Sequence, residues 1–170
     1  DSFQLTAKAK TLVSPSGIEI DETKQILYTV TKEDNSLYLV DLKTKNILLK
    51  IKLPGEAFSC LLSPDKSILY ISCWGCDKII LFDTKTQQIR NEIAVGDNPN
   101  EMFLSKNGNW LFVANANDNS VSVINTSQHK VVETLNAALY PDAPSGSTTN
   151  GLALSADEKT LYIANADNNC

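Results

Sequence analysis

A motif of about 42 residues recurs along the chain and constrains its fold more than any other feature. One position of the motif is aromatic in every copy, at intervals of 42, 42 and 50 residues: Tyr28, Tyr70, Phe112 and Tyr162. A second position carries a carboxylate or amide at the same interval of 42: Asp41, Asp83 and Asn125. Because independent positions share one register, the pattern predicts successive copies of one structural unit.

Each copy contains four short runs rich in Val, Ile, Leu and aromatic residues, and turn residues separate the runs. In the second copy these runs are FSCLL, SILYISC, KIILFD and QIRNEIAV. The chain has no long apolar stripe at helical spacing. The second and third runs are apolar at almost every position, as in a sheet that is buried on both faces. These features predict an all-β fold, a β-propeller of four-stranded antiparallel blades.

The repeat describes residues 1–170 as a single partial propeller of about three and a half blades. The predicted segments are the outer strand of a closing blade (3–13), three whole blades (14–53, 56–95 and 98–135), a long rim loop (136–150) and the first two strands of a further blade (151–170). A natural chain rarely ends inside a hairpin, so we expect a fragment of a longer protein. The alternative is that the open faces pair with another copy, and we expect such self-association of the isolated chain.

Charge and composition exclude several classes of partner. The net charge is -5, and Arg90 is the only arginine, so a basic face for nucleic acid cannot form. No apolar run is long enough for a membrane span. The chain begins DSFQLTAKAK, without an initiator methionine or a signal peptide, as a mature secreted chain or a truncated one would. Together with the four cysteines, this start leads us to expect a periplasmic or secreted protein.

The strand sequences LFVAN and LYIAN resemble the Tyr-Val-Thr-Asn core of YVTN-repeat seven-bladed β-propellers. The resemblance extends from about residue 14 to the end and is weakest in the first copy, where YTVT stands in for the core. It implies that the blades belong to a seven-bladed ring. More narrowly, GSTTNGLALSADEKTLYIANADNNC is similar to the propeller half of bacterial proteins whose other half is an alkaline-phosphatase-superfamily phosphoesterase. That similarity implies a phosphoesterase domain that this chain lacks.

Propeller connectivity brings two kinds of segment to one rim of the central channel, the turns between second and third strands and the connections between blades. Their carboxylates and amides suit a polar ligand, a sugar or a hard cation. The same residue types also suit tight turns whatever the function, and no Asp-x-Asp-x-Asp-Gly calcium loop is present. We predict neither a metal nor a cofactor. The candidate ligand-binding residues are Trp74, Asp97, Asn98, Asn100, Tyr140, Asp142 and Asn150.

Two parts of this rim carry specific expectations. The 136–150 loop is eight residues longer than the repeat requires and offers Tyr140 and Asp142 to a partner, unless it is a neutral surface insertion. Asn100 and Asn150 occupy the same register at the start of a first strand. They either line a ligand site beside the channel mouth or cap the turn backbone.

The second copy departs from the others in its Cys-Trp-Gly-Cys turn. A thioredoxin-like pair needs its first cysteine at a helix N-terminus, whereas Cys73 ends a strand. Zinc needs further ligands, and we expect Cys60 to face Tyr70 rather than the turn. Two interpretations remain. Cys73 and Cys76 form a disulfide that closes the turn, or both are free thiols. Trp74 at the tip of this turn is typical of a contact surface, unless it packs against the loop of the neighbouring blade.

The residues for nucleophilic catalysis are not assembled in the sequence. His129, the only histidine, lies in a turn that propeller connectivity places on the opposite rim, so a Ser-His-Asp set is absent. We therefore expect a non-catalytic recognition or scaffold module that binds a polar small molecule or a protein partner on the rim and accompanies a phosphoesterase domain. The alternative is a lactonase-type hydrolase that uses the central channel, because lactonases also use YVTN-like propellers.

Overall fold

The computed structural model of the protein describes residues 12–140, 144–146 and 148–166. They form three four-stranded antiparallel sheets and one two-stranded sheet, which confirms the prediction of an all-β propeller with four-stranded blades. Blade 1 contains β1 (Pro15–Asp21), β2 (Ile26–Thr31), β3 (Ser36–Asp41) and β4 (Ile47–Lys52). Blade 2 contains β5 (Ala57–Leu62), β6 (Ile68–Cys73), β7 (Lys78–Asp83) and β8 (Gln88–Ala94). Blade 3 contains β9 (Pro99–Leu104), β10 (Trp110–Asn115), β11 (Ser120–Asn125) and β12 (Lys130–Asn136), and the half-blade contains β13 (Thr149–Leu154) and β14 (Leu161–Asn165).

The repeated polar residues hold the turns of each blade. Between the first and second strands, serine hydroxyls accept the backbone N–H five residues ahead at 3.0 Å, from Ile68 to Ser63, from Trp110 to Ser105 and from Thr160 to Ser155. Between the third and fourth strands, the Asp83 carboxylate accepts the backbone N–H groups of Lys85 and Thr86 at 2.9 and 2.8 Å. The polar residues that repeat in the sequence therefore make repeated hydrogen bonds from side chain to backbone in the turns.

The core lies between the blades, because the middle strands of blade 2 are buried on both faces. One face of blade 2 packs against blade 1 through a cluster that includes Tyr28, Leu39, Leu69, Ile71 and Phe82. The other face packs against blade 3 through a cluster that includes Tyr70, Ile79, Leu81, Met102 and Val113. Alternate residues of one strand thus serve two different interfaces.

The two outermost faces of the described structure carry exposed apolar side chains. Ile18 in blade 1 is 65% exposed, and Tyr162 in the half-blade is 61% exposed. Contiguous apolar surface of this kind is typical of an interface. Within the described ranges, no helix has the length and apolar character needed to cross a membrane.

One expected contact is wrong by one residue. Cys60 lies opposite Ile71, and Leu61 takes the place opposite Tyr70. The pairing of β5 with β6 shifts between Ala57 and Ser59, and this irregularity moves the register. The predicted outer strand at 3–13 falls outside the described residues, apart from its last two positions.

Candidate functional site

The turns between second and third strands lie against the connections between blades, and together they form a surface that we call the loop rim. It consists of the turns 32–35, 74–77 and 116–119 and the connections 53–56, 95–98 and 137–148, of which the last is described in part. Backbone hydrogen bonds join these segments. Gly75 donates to the Glu56 carbonyl at 3.0 Å, and Val95 donates to the Asp77 carbonyl at 3.0 Å.

A disulfide between Cys73 and Cys76 closes the blade 2 turn around a short 3-10 segment, Trp74–Cys76. This turn packs tightly against the preceding connection. A Cβ atom on Gly75 would lie 3.0 Å from the Glu56 nitrogen, and one on Gly55 would lie 3.1 Å from the Cys76 Cβ. Glycine at both positions therefore allows the cross-linked turn to seat on its neighbour.

Trp74 stands at the tip of this turn and is 37% exposed. Its carbonyl accepts the Asn98 side-chain amide at 2.9 Å, and the Asn98 backbone N–H donates to Asp77 Oδ1 at 3.0 Å. The Asn98 Oδ1 in turn accepts the side-chain amide of Asn117 from the blade 3 turn. Asn98 thus links the turns of two successive blades.

Asp97 extends the same network. Its backbone N–H donates to Asp118 Oδ2 at 2.7 Å, and its carbonyl accepts the backbone N–H of Asn117 at 3.3 Å. The close fit leaves no space at Gly96, where a Cβ would collide with Asp118 Oδ2 and lie 2.6 Å from Asn115 Nδ2. Among the described residues, no group of three or more His, Cys, Asp or Glu side chains could hold a metal ion.

Asn100 and Asn150 contact each other. The Asn100 side-chain amide donates to Asn150 Oδ1 at 2.9 Å, and this bond joins the first strand of blade 3 to that of the half-blade. Asn100 is buried, and its Oδ1 has no hydrogen-bond partner, whereas Asn150 is exposed. The next residue, Glu101, is half-buried, and burial raises the pKa of its carboxyl.

The long loop is tied to the blade 3 turn. Asn119 donates its side-chain amide to the Pro144 carbonyl at 2.7 Å, and Gly146 donates its N–H to the Asn117 carbonyl at 3.0 Å. Tyr140 is 54% exposed on this loop. Asp142, the other residue predicted there, lies outside the described residues.

Sequence reasoning missed a carboxylate that holds the blade 1 turn. The Asp34 carboxylate accepts hydrogen bonds from Thr31 and from Tyr38, the latter at 2.5 Å, and pairs with Lys50 at 2.9 Å. Burial acts to raise the pKa of Asp34, but these three donors outweigh it and lower the pKa to about 2. The 42-residue interval that relates Asp34 to Cys76 and Asp118 would have identified this residue.

Two asparagines at the ends of second strands were also missed. Asn115 is fully buried and donates to the hydroxyls of Ser120 and Ser122 at 2.8 and 2.9 Å. Asn165 donates to the Ala137 carbonyl at 2.6 Å. Each is the last residue of a run that resembles the YVTN core, so the motif itself was the available signal.

His129 lies in the turn between β11 and β12, at the opposite end of the blade from the loop rim. It shares a cleft with Asp65 and Tyr70, and its Nδ1 has no hydrogen-bond partner. Arg90 lies on the exposed outer strand β8. Neither His129 nor Arg90 is therefore part of the loop rim.

Comparison with known proteins adds three findings. The family model described as lactonase, 7-bladed beta-propeller, matches residues 56–144. The uncharacterised protein YncE of Salmonella typhimurium is 30% identical over 169 residues, which cover 94% of this chain and 45% of that protein. A 6-phosphogluconolactonase of Erwinia tasmaniensis is 24% identical over 106 residues, which cover 59% of this chain and 32% of that protein.

Among solved structures, the hydrazine synthase of Kuenenia stuttgartiensis superposes with a TM-score of 0.76 at 23% identity. The match covers 95% of this chain and 44% of that chain. At this identity the likeness concerns the fold alone. The chain spans less than half the length of the two curated relatives, YncE and the 6-phosphogluconolactonase.

Proposed function

The chain belongs to the lactonase seven-bladed β-propeller family, and we propose that it is a non-catalytic recognition module whose loop rim binds a polar small molecule or a protein partner. The observation that carries the proposal is Trp74. A large aromatic side chain stands exposed on a turn that a disulfide closes and that Asn98 ties to the next blade.

Rigidity is what makes this arrangement suited to binding. A side chain on a flexible turn loses conformational entropy when a partner immobilises it, and a pre-organised turn has lost most of that entropy already. Tryptophan is also enriched among the residues that dominate binding energy, because its ring buries a large area with few rotatable bonds. Trp74 thus supplies an apolar anchor within a polar rim.

The surroundings of Trp74 indicate the chemistry of the partner. Asp77, Asp97 and Asp118 lie on the same rim, and the chain has a net charge of -5. Carboxylate oxygens and amide groups favour a partner that presents hydrogen-bond donors or positive charge. A neutral polar molecule or a protein surface with exposed lysine or arginine side chains fits this rim better than an anion.

The setting that we propose is the bacterial periplasm or the cell exterior. A disulfide persists in an oxidising compartment and is rare in the cytosol, which supports this location. We further propose that the full-length protein carries a phosphoesterase domain, on the resemblance of the last 25 residues to such two-part proteins. The exposed apolar faces of blade 1 and the half-blade would then pack against further blades or, in the isolated chain, against another copy.

Photo-crosslinking at the two tryptophans tests the proposal. p-Benzoylphenylalanine replaces Trp74 in one variant and Trp110 in a matched control, because the two side chains are similarly exposed at 37% and 39%. Trp110 begins β10, at the opposite end of that strand from the loop rim. We expect discrete products in bacterial cells from position 74 and none of the same products from position 110. Identical products from both positions, or none from position 74, would contradict a binding rim.

A second candidate is hydrolysis of a lactone in the central channel, because two relatives are named 6-phosphogluconolactonase. One observation favours it. Glu101 lies on the first strand of blade 3, and its half-buried carboxyl has a raised pKa, as a general acid or base often has. Hydrolysis of 6-phosphogluconolactone by the protein, abolished in Glu101→Gln, would replace the recognition module as its function. Equal rates with and without the protein would leave recognition as the function.

A further inference from the structure

The end of the propeller opposite the loop rim has its own cleft. It lies at what we call the base rim, the turns between first and second strands (63–67, 105–109 and 155–160) and between third and fourth strands (83–87 and 125–129). The cleft has a volume of about 340 Å³ and lies between blades 2 and 3. Its lining residues include Pro64, Asp65, Ile68, Tyr70, Gly108 and His129.

One of the residues that line the cleft is a glycine, Gly108. Lys66, Gly108 and Glu158 occupy one position of the repeat, and all three have a positive φ, of 59°, 72° and 57°. Lys66 reaches across to blade 1 and donates to Asp21 Oδ1 at 3.2 Å. Glu158 reaches across to blade 3 and accepts the backbone N–H of Lys106 at 2.5 Å. A long side chain therefore crosses each of the two neighbouring boundaries, whereas no side chain crosses from Gly108, where a Cβ would lie 2.8 Å from the Pro64 Cδ.

His129, which lines the cleft, has a buried polar atom without a hydrogen-bond partner. The Nδ1 of His129 is buried and accepts or donates no hydrogen bond. Such an atom costs free energy, on the order of 1–3 kcal/mol. In blade 2 the same repeat position is Gln87, whose φ of 56° matches the 51° of His129. The turn therefore does not require an imidazole.

The remaining walls define what would fit. Asp65 Oδ1 accepts hydrogen bonds from the Ser63 and Ser67 hydroxyls at 2.6 and 2.9 Å, which favours the charged carboxylate. Pro64 and Ile68 supply apolar surface. Neither lysine nor arginine is among the lining residues, so an anionic ligand would meet Asp65 without a compensating cation.

We propose that the cleft between blades 2 and 3 binds a neutral, hydroxyl-rich small molecule the size of a monosaccharide. Ligand hydroxyls donate to the Asp65 carboxylate, and the C–H face of the ligand packs on Pro64 and Ile68. A cleft of this volume lies within the range of small-molecule sites. The site is separate from the loop rim, so the proposal does not depend on the function proposed above.

Ligand-observed saturation-transfer NMR with pure sugars tests this site. The probes are glucose, galactose, mannose and N-acetylglucosamine, with gluconate as the anionic comparison. We expect saturable transfer to at least one neutral sugar and weaker binding of gluconate. Asp65→Asn should raise the Kd about tenfold or more, because it removes an acceptor for the ligand hydroxyls, and His129→Gln should raise the Kd because it replaces a wall of the cleft. The matched control Gln87→Ala changes the equivalent turn of blade 2 and should leave the Kd unchanged.

We expect both variants to fold, so a change in Kd reports on the cleft itself. His129→Gln installs the residue that blade 2 already has at this position, and Asp65→Asn keeps the Oδ1 acceptor. Thermal unfolding of each variant checks that the blades are intact. The proposal is overturned if none of the four neutral sugars binds, if gluconate binds as tightly as the best of them, or if both variants keep the wild-type Kd. None of these outcomes affects the crosslinking test at Trp74.

Discussion

Two successive turns of the loop rim are held in place by different chemical groups, a disulfide in blade 2 and a side-chain amide in blade 3. Cys73 in blade 2 and Asn115 in blade 3 occupy one position of the repeat, and both are 0% exposed. Cys73 is bonded to Cys76 in the turn, whereas Asn115 donates hydrogen bonds to Ser120 and Ser122. The repeat thus determines where a turn is held, while the neighbouring strand determines which chemistry can hold it.

The neighbouring strands explain why the two solutions are not interchangeable. Lys78 and Ile80 stand in blade 2 where Ser120 and Ser122 stand in blade 3. An amide at position 73 would lack these two hydroxyl partners, and it would face the apolar cluster between blades 1 and 2. Blade 1 shows a third solution, in which the charged Asp34 carboxylate collects three donors.

Transplanting the blade 3 pair into blade 2 should have the largest effect. We expect Cys73→Asn with Cys76→Asp to lower the free energy of unfolding by about 3–5 kcal/mol. About 2 kcal/mol of this loss comes from the loop-closure entropy of a small ring. The rest is the cost of burying an amide without the two serine partners that it has in blade 3. Urea unfolding measures the change, and wild-type protein under reducing conditions isolates the disulfide contribution. Wild-type stability in the double variant would show that the turns are interchangeable.

Removing the blade 3 amide should have a smaller effect. Asn115→Ala leaves the hydroxyls of Ser120 and Ser122 without their donor and opens a small cavity, so we expect a loss of about 2–3 kcal/mol in the free energy of unfolding. Asn91→Ala on the exposed strand β8 is the control and should stay within about 0.5 kcal/mol of wild type. Equal effects of the two substitutions would mean that Asn115 does not hold its turn.

The blade 1 turn should differ from the other two because its contribution to stability depends on pH. We expect the smallest loss of stability here. The folded-state pKa of Asp34 is about 2, below the ordinary 3.8, so its contribution is present above about pH 4 and is lost as the pH falls through about 2. We expect Asp34→Asn to cost at most about 2 kcal/mol near neutral pH and almost nothing near pH 2. Urea unfolding of both proteins across this range measures the difference. A cost that does not change with pH would exclude the charge as its source.

Much of the fold could be predicted from the sequence. The run KIILFD coincides with β7, and the run FSCLL differs from β5 by one residue at its start. The rim candidates Trp74 and Asn98 were recognisable as residues of turns and connections, but their direct contact was not, because it joins positions 24 residues apart. The pairing of Cys60 with Ile71 also escaped prediction, since a bulge shifts the register without a clear sequence signal.

Residue order alone specifies the number of strands, the turns and the two-faced burial of the middle strands, because these depend on local periodicity and on side chains that bond to the nearby backbone. The contacts across a blade boundary become visible only when the blades are packed together. Lys66 turns toward Asp21, and Asn100 meets Asn150. Such pairings depend on how neighbouring blades pack and on the rotamers that the packing allows, and neither follows from the spacing of residues along the chain.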